Sequence, residues 1–327
     1  MNKMKSLILS CLSMMLCMTI SAQTVSFVPN WKKGDKASFY YEKKETDKTG
    51  DETLNVKTTF VLNLKVVNKD ANGYTINASF EDPKITPGSE EENALLLKKY
   101  KVSFDYKLDA TGKLIGFADS TKVIAEIKKL YKMSDSDDSM VSFLYGLIGA
   151  LSPEIYLSEL MEEVVYIHAL NEINLESKKN VEIKKEKRIA LSAYYKALDI
   201  PSTYKYTLES VKKNITNVKC STILTNEDIK TAYIEDGIKT TSSILDDPYI
   251  FQDEDYEDRL KTLIQERRAE YEEEYKESYD LNITDTFNYS FDNSSKWLNS
   301  LSATYTTKGK KEGKDVSDIT EITISKK

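Results

Sequence analysis

Runs of β-branched and aromatic residues alternating with polar ones recur through most of this chain, and they constrain its fold more than any other feature. The first group is ASFYYEKK, KTTFVLNLKVV and YTINASFED, and a second, NVEIKKEKRIAL, TYKYTLESVKK and NVKCSTIL, begins after residue 178. NITDTFNYSF, SLSATYTTKG and SDITEITIS close the chain. Side chains two apart lie on one face of a strand, so each run predicts a strand with one apolar and one polar face. Lys69-Asp70-Ala71-Asn72-Gly73 predicts a hairpin connection in which Asn-Gly adopts positive φ at little cost. YKVSFDYKLD predicts another strand, which turns at Ala110-Thr111-Gly112 and returns as KLIGF.

Helical spacing separates the two groups. Asp119 or Ser120 can cap a helix carrying Val123, Ile124, Ile127, Leu130 and Tyr131 on one face. The apolar run MVSFLYGLIGAL, residues 140–151, stops at Ser152-Pro153 and reads as a buried helix, too short for the roughly 20 residues of a membrane span. Ser152-Pro153-Glu154 offers a capping hydroxyl and a first-turn proline. Leu157, Leu160, Met161, Val164, Val165 and His168 follow at helical spacing, although VVYIHAL also fits a strand. A charged helix is predicted at about 256–279, with Leu260, Leu263, Ile264, Tyr271, Tyr275 and Tyr279 inward. Glu257 with Lys261, and Glu272 with Lys276, are i, i+4 pairs on its outer side.

Strands, helices, strands, helix, strands is not the alternation of a doubly wound parallel sheet. The order predicts an α+β fold: largely antiparallel sheets in two β halves flanking a helical middle segment, plus one long charged helix near the C-terminus. The units are residues 1–22, a signal peptide; 23–118, an N-terminal β half; 119–177, a helical segment; and 178–327, a C-terminal β half with the inserted helix. Phe104, Tyr106, Asp109 and Lys113 are echoed by Phe287, Tyr289, Asp292 and Lys296, which fits either duplication or convergent hairpin chemistry. Ala-Thr-Gly at the first tip gives way to Asn293 and two serines at the second. A frame without a shared tip predicts repeated architecture and not a repeated active loop.

The N-terminus carries the most specific signal. Lys3 and Lys5, the apolar run SLILSCLSMMLCMTI and Ser21-Ala22-Gln23 have the charged start, apolar core and small-residue cut of a Sec-type signal peptide, with cleavage after Ala22. Ile8-Leu9-Ser10-Cys11 resembles a lipid-attachment box, but the apolar core continues well past Cys11, so anchoring there is not expected. Cys11 and Cys17 leave with the signal, Cys220 remains alone, and no intramolecular disulfide can form in the mature chain. That points to a Gram-negative envelope, periplasm or cell surface, and makes the Asn-x-Ser/Thr sequences at Asn77, Asn214, Asn282, Asn288 and Asn293 chance matches. Without Lys3 and Lys5 the chain has 44 basic and 53 acidic side chains, a formal charge of −9. An acidic chain without a basic stripe is a poor partner for nucleic acid or anionic lipid surfaces.

Tyrosine outnumbers glycine, 21 to 11. Tyrosine suits half-buried sheets and binding faces, and glycine is what phosphate-cradling loops need, so the balance disfavours a nucleotide enzyme. His168 is the single histidine and sits on an apolar face if VVYIHAL is helical. With no second histidine, no zinc spacing and no strained nucleophile turn, it reads as a buried structural histidine. Cys220 alternates with Val218 and Thr222 in a strand and reads as a packed thiol. Asp246-Asp247 and QDEDYED, residues 252–258, are carboxylate candidates, the second read chiefly as a helix cap and next as a calcium loop. Asp135-Ser136-Asp137-Asp138-Ser139 lacks the glycine and glutamate of a calcium loop and reads as a linker. Asp119-Ser120-Thr121 and Asp138-Ser139-Met140 match a short bacterial O-glycosylation tripeptide.

FVPNWKKGDKASFYY, with its aromatic and Lys-Gly-Asp turn before the first strand, and ATGKLIGFADSTKVIAEI, a hairpin followed at once by a helix, resemble uncharacterised secreted envelope proteins of Gram-negative bacteria. No activity or site residue comes with that resemblance. No catalytic, cofactor-binding or metal-binding residue is assigned, and no cofactor is expected. The chain is expected to be an exported, non-enzymatic envelope protein that binds a protein, glycan or lipid partner. The alternatives are a periplasmic carrier of an apolar molecule, with a groove beside residues 140–170, and a carboxylate-dependent glycan hydrolase.

Overall fold

The computed structural model describes residues 24–131, 160–177, 179–189, 191, 197–245 and 256–327. The expected signal peptide with Cys11, the 140–151 run, Ser152-Pro153-Glu154, Asp138-Ser139-Met140, Asp246-Asp247 and residues 252–255 lie outside these. The strands of the first meander are β2 (Lys36–Thr49), β3 (Glu52–Asp70), β4 (Gly73–Thr86), β5 (Phe104–Asp109) and β6 (Leu114–Phe117). Those of the second are β8 (Asn180–Ile189), β9 (Leu198–Lys212), β10 (Ile215–Leu224), β11 (Tyr279–Asp292), β12 (Leu298–Lys311) and β13 (Lys314–Lys326). A separate pair joins β1 (Thr24–Ser26) to β7 (Asn174–Glu176).

The two meanders form one antiparallel sheet of eleven strands, in the order β6-β5-β4-β3-β2-β13-β12-β11-β10-β9-β8. The expected α+β arrangement is therefore wrong. β13 pairs with β2 from Val316↔Thr49 to Lys326↔Phe39, so the last strand hydrogen-bonds to the first long strand and merges the halves. Strand patterning shows which residues face inward but not which strand edges meet, and that pairing spans most of the chain. The helices decorate this sheet: α1 (Ala94–Leu97) with a 3-10 turn (Lys98–Lys101), α2 (Ser120–Tyr131), α3 (Glu162–His168), α4 (Asn226–Leu245) and α5 (Tyr256–Ser278).

One sheet face is apolar, as the period-two pattern requires; β11 alternates buried and exposed along almost its whole length. Each meander carries its helical insertion after its third strand, α1 and the 3-10 turn after β4, α4 and α5 after β10. An even number of antiparallel steps separates β4 from β10, so both point the same way and both insertions leave from the same end. Thr225 and Asp228 cap α4 reciprocally, the Asp228 amide donating to Thr225 Oγ1 at 3.3 Å and the Thr225 amide to Asp228 Oδ2 at 2.8 Å. Gly237 lets the helices close: a Cβ there would lie 2.7 Å from the Tyr271 ring of α5.

Hairpin turns and the N-terminal segment close the other end. Trp31 stacks on Trp297 with centroids 3.8 Å apart and donates from Nε1 to the Ser295 carbonyl at 3.0 Å. The Tyr74 hydroxyl donates to the Pro29 carbonyl at 2.9 Å. The echoed turns share more chemistry than their sequences suggest. Asp109 Oδ1 accepts from the Thr111 amide (2.8 Å) and hydroxyl (2.6 Å); Asp292 Oδ1 accepts from the Ser294 amide (2.9 Å) and hydroxyl (2.6 Å). Partial burial pushes the Asp292 carboxyl up, but these bonds and those from Ser295 outweigh it and hold it at about 2.

Candidate functional site

His168 ends α3 on the inner face of the sheet, so VVYIHAL is helical there and not a strand. The imidazole is 4% exposed. Asn171 Nδ2 donates to the Gly112 carbonyl (3.1 Å) and faces His168 Nδ1 at 3.0 Å, so Nδ1 accepts. Nε2 then carries the proton and donates to the Tyr106 hydroxyl at 2.8 Å. Burial pulls the imidazole down to about 3. With both nitrogens engaged and no charge partner, the group is a structural tie between α3, β5 and the 109–113 turn. Cys220 is fully buried in β10, and burial pushes its thiol up to about 11. Among the described residues, no group of three or more His, Cys, Asp or Glu side chains could hold a metal ion. No helix among them is long and apolar enough to cross a membrane.

A polar row divides the inner face into two apolar cores. Thr222, Asp285, Tyr305, Thr320 and Glu45 are successive register partners across β10, β11, β12, β13 and β2. On one side lies the larger core with Phe39, Ile76 and Phe287; on the other lies the α4–α5 core with Ile229, Tyr233 and Tyr275. Asp285 has no exposed surface, and its Oδ2 pairs with Lys187 Nζ from β8. Burial pushes the Asp285 carboxyl up, and Lys187 opposes that. Tyr305 donates to the Tyr166 hydroxyl (2.6 Å), which donates to Glu162 Oε1 (2.9 Å), tying α3 to this row. A cavity of about 240 Å³ opens above it between Lys187, Asp285, Tyr305 and Asp318.

The larger cavity, about 760 Å³, lies at the insertion end of the first meander. β5 pairs with β4 only as far as Ala78↔Phe104, so residues 79–86 of β4 lack a strand on that side. The 94–103 segment faces them, and the space between is the cavity. Phe80 and Ile85 form one wall, Leu97, Tyr100 and Val102 the other. Phe60, Phe80 and Tyr100 pack behind it, with ring centroids 4.7 to 5.4 Å apart. Lys84, Lys98 and Lys101 line it as cations, against Asp82 and Glu90. Asn93 fastens its far end, Nδ2 donating to the carbonyls of Ile85 (3.1 Å), Pro87 (3.2 Å) and Ser89 (3.1 Å).

The free edge of β4 is poorly suited to receive another strand. The register with β3 passes from Val61↔Glu81 to Thr59↔Lys84, so Asp82, at φ +51°, and Pro83 bulge out. Pro83 has no N–H to donate, and a bulge with proline interrupts an edge ladder. A compact small molecule fits this geometry better than an extended peptide. In the second meander no such gap forms, because β11 pairs with β10 along the whole length of β10, from Ile215↔Asp292 to Leu224↔Ile283.

No family model matches the chain, and no curated protein matches it. Among solved structures it is similar to a lipovitellin chain from a structure of lipid–protein interactions in lipovitellin, at 8% identity and a TM-score of 0.41. The match covers 91% of this chain and 25% of that one. The chain thus spans about a quarter of the other's length, and the likeness decides neither fold nor ligand.

Sequence reasoning did not find this cavity. The alternating run YTINASFED ends at Asp82, whereas β4 continues through Thr86. Phe80, Leu97, Tyr100 and Val102 look like ordinary core residues in one dimension, and only the early end of β5 separates them into walls. The α4 helix was also missed, although Thr225-Asn226-Glu227-Asp228 carries its capping signal. The groove expected beside residues 140–170 falls in part outside the described residues. In the described part, Val164 and Ile167 of α3 pack into the larger core.

Proposed function

We propose that this is an exported, non-enzymatic binding protein of a bacterial envelope, which takes a small amphipathic molecule in the cavity between β4 and the 94–103 segment. The observation that carries this is the cavity itself: about 760 Å³ with aromatic and aliphatic walls and charged groups at the rim. That volume lies within the roughly 300–1,000 Å³ of small-molecule sites, and the lining mixes apolar walls with five charged side chains, which suits an amphipathic molecule. A non-enzymatic role is supported by the internal hydrogen bonds that occupy both nitrogens of His168. Export rests on the N-terminal sequence and is tested by the mass of the envelope-fractionated protein, expected to begin at Gln23 without lipid.

Binding is tested with the neutral fluorophore N-phenyl-1-naphthylamine, whose emission rises in apolar surroundings. Wild-type protein should give a saturable rise. Ala94, exposed on the cavity lining, can be replaced by Ala94→Trp to fill the space without touching the core. Loss of the signal in that variant supports the site; an unchanged signal, or none in wild type, refutes it.

A further inference from the structure

Resting on the reading that this cavity binds a ligand, we infer that the ligand is a single N-acylated amino-acid unit, held by two main-chain hydrogen bonds to Phe80. In an antiparallel sheet each residue turns its N–H and C=O to one side, and the next residue turns them to the other. The Asp105 carbonyl accepts from the Ala118 amide (2.8 Å) on the β6 side, so Phe104, Tyr106 and Leu108 face β4. Their partners Ala78, Ile76 and Tyr74 therefore face β5, and the Ala78 carbonyl accepts there from Ser103 Oγ at 3.0 Å. Two residues on, Phe80 presents its N–H and C=O to the same side, which is the cavity. Continued pairing would put Val102 opposite it, but the Val102 amide turns back to the Lys99 carbonyl at 3.3 Å. Among the described residues, none hydrogen-bonds to the Phe80 main chain on that side.

The open stretch is one position long. Asp82, at φ +51°, and Pro83, without an N–H, end the ladder beyond it, and farther on the Ile85 carbonyl already accepts from Asn93 Nδ2. A donor and an acceptor on one residue are half of a hydrogen-bonded pair, in which two opposed residues exchange both bonds. The matching half is an N–H and a C=O on either side of one tetrahedral carbon, as in an acylated amino acid. An ester or a carboxylate offers acceptors alone, and covering this edge without both bonds strips water from a group left unpaired. An extended peptide needs further positions, which the bulge denies it. The acyl chain has Leu97, Tyr100 and Val102 of the facing wall to lie against.

The test displaces N-phenyl-1-naphthylamine with four uncharged compounds that share one acyl chain. They are N-octanoylglycine N-methylamide; its analogue with an ester oxygen in place of the acyl N–H; N-butyloctanamide, which keeps that N–H but lacks the second carbonyl; and butyl octanoate, which lacks both. After correction for octanol–water partition, each lost bond should lower potency about three- to tenfold. Amide exchange read by NMR locates the contact. Saturating N-octanoylglycine N-methylamide should slow exchange of the Phe80 amide severalfold, and so should the ester analogue, which keeps the carbonyl that accepts from it. N-butyloctanamide should leave that exchange unchanged. Equal corrected potency of the four compounds, or a Phe80 amide left unprotected under saturation, would overturn the inference and leave cavity binding standing. Failure of the fluorophore to bind wild-type protein would remove the underlying reading instead.

Discussion

Glu163 makes the stability of this protein dependent on pH in a way that one substitution should abolish. It lies in the first turn of α3 and is 2% exposed. Burial pushes its carboxyl from the ordinary 4.5 up to about 7; Lys99 and Lys43 pull it down, and Glu162 pushes it further up. The folded state therefore holds this proton more tightly than the unfolded chain does. The resulting stabilisation is complete below about pH 4.5 and is lost as pH rises through about 7. At ~1.4 kcal/mol per pH unit, the whole difference amounts to about 3 kcal/mol, most of it lost between pH 5 and pH 8. Glu163→Gln keeps the shape and stays neutral. Urea unfolding should therefore show the variant gaining about 2–3 kcal/mol on wild type between pH 5 and pH 8. If the two stabilities run parallel across that range, Glu163 is already ionised in the fold and the reasoning fails.

Two further outcomes follow from the inner face. Lys187→Met leaves Asp285 buried without its cation and should cost about 3–5 kcal/mol in urea unfolding, with Lys187→Met, Asp285→Asn recovering part of it. An unchanged midpoint would mean the carboxylate reaches water. His168, pulled down to about 3 by burial, should show imidazole proton shifts in NMR that do not move between pH 5 and pH 8. A titration in that range would show that the His168–Tyr106–Asn171 tie opens.

Much was legible in the residues because it depends on short range. Period-two alternation located most strands of the sheet, and Asp119 and the 109–112 turn were placed by local hydrogen-bond chemistry. Asp119 Oδ1 accepts from the Lys122 amide at 3.0 Å, and Gly112 takes φ +90°. The charged helix expected near 256–279 is observed at Tyr256–Ser278. The tip comparison of the two echoed hairpins was misleading, because Thr111 and Ser294 differ in name but supply the same hydroxyl and amide to an aspartate.

Tertiary structure alone decided three things. The pairing of β13 with β2 joined what reads as two halves into one sheet, since edge hydrogen bonds depend on closure of the chain and not on the pattern of either strand. The row from Thr222 through Asp285 to Glu45 became visible only once five strands were in register, because its members are far apart in sequence and each sits in an unremarkable run. The cavity arose from a mismatch in length, β4 continuing where β5 has stopped and the 94–103 segment lying across the gap. Sequence by itself determined the faces of the elements; which edges meet, and where a gap between them stays open, is a property of their packing.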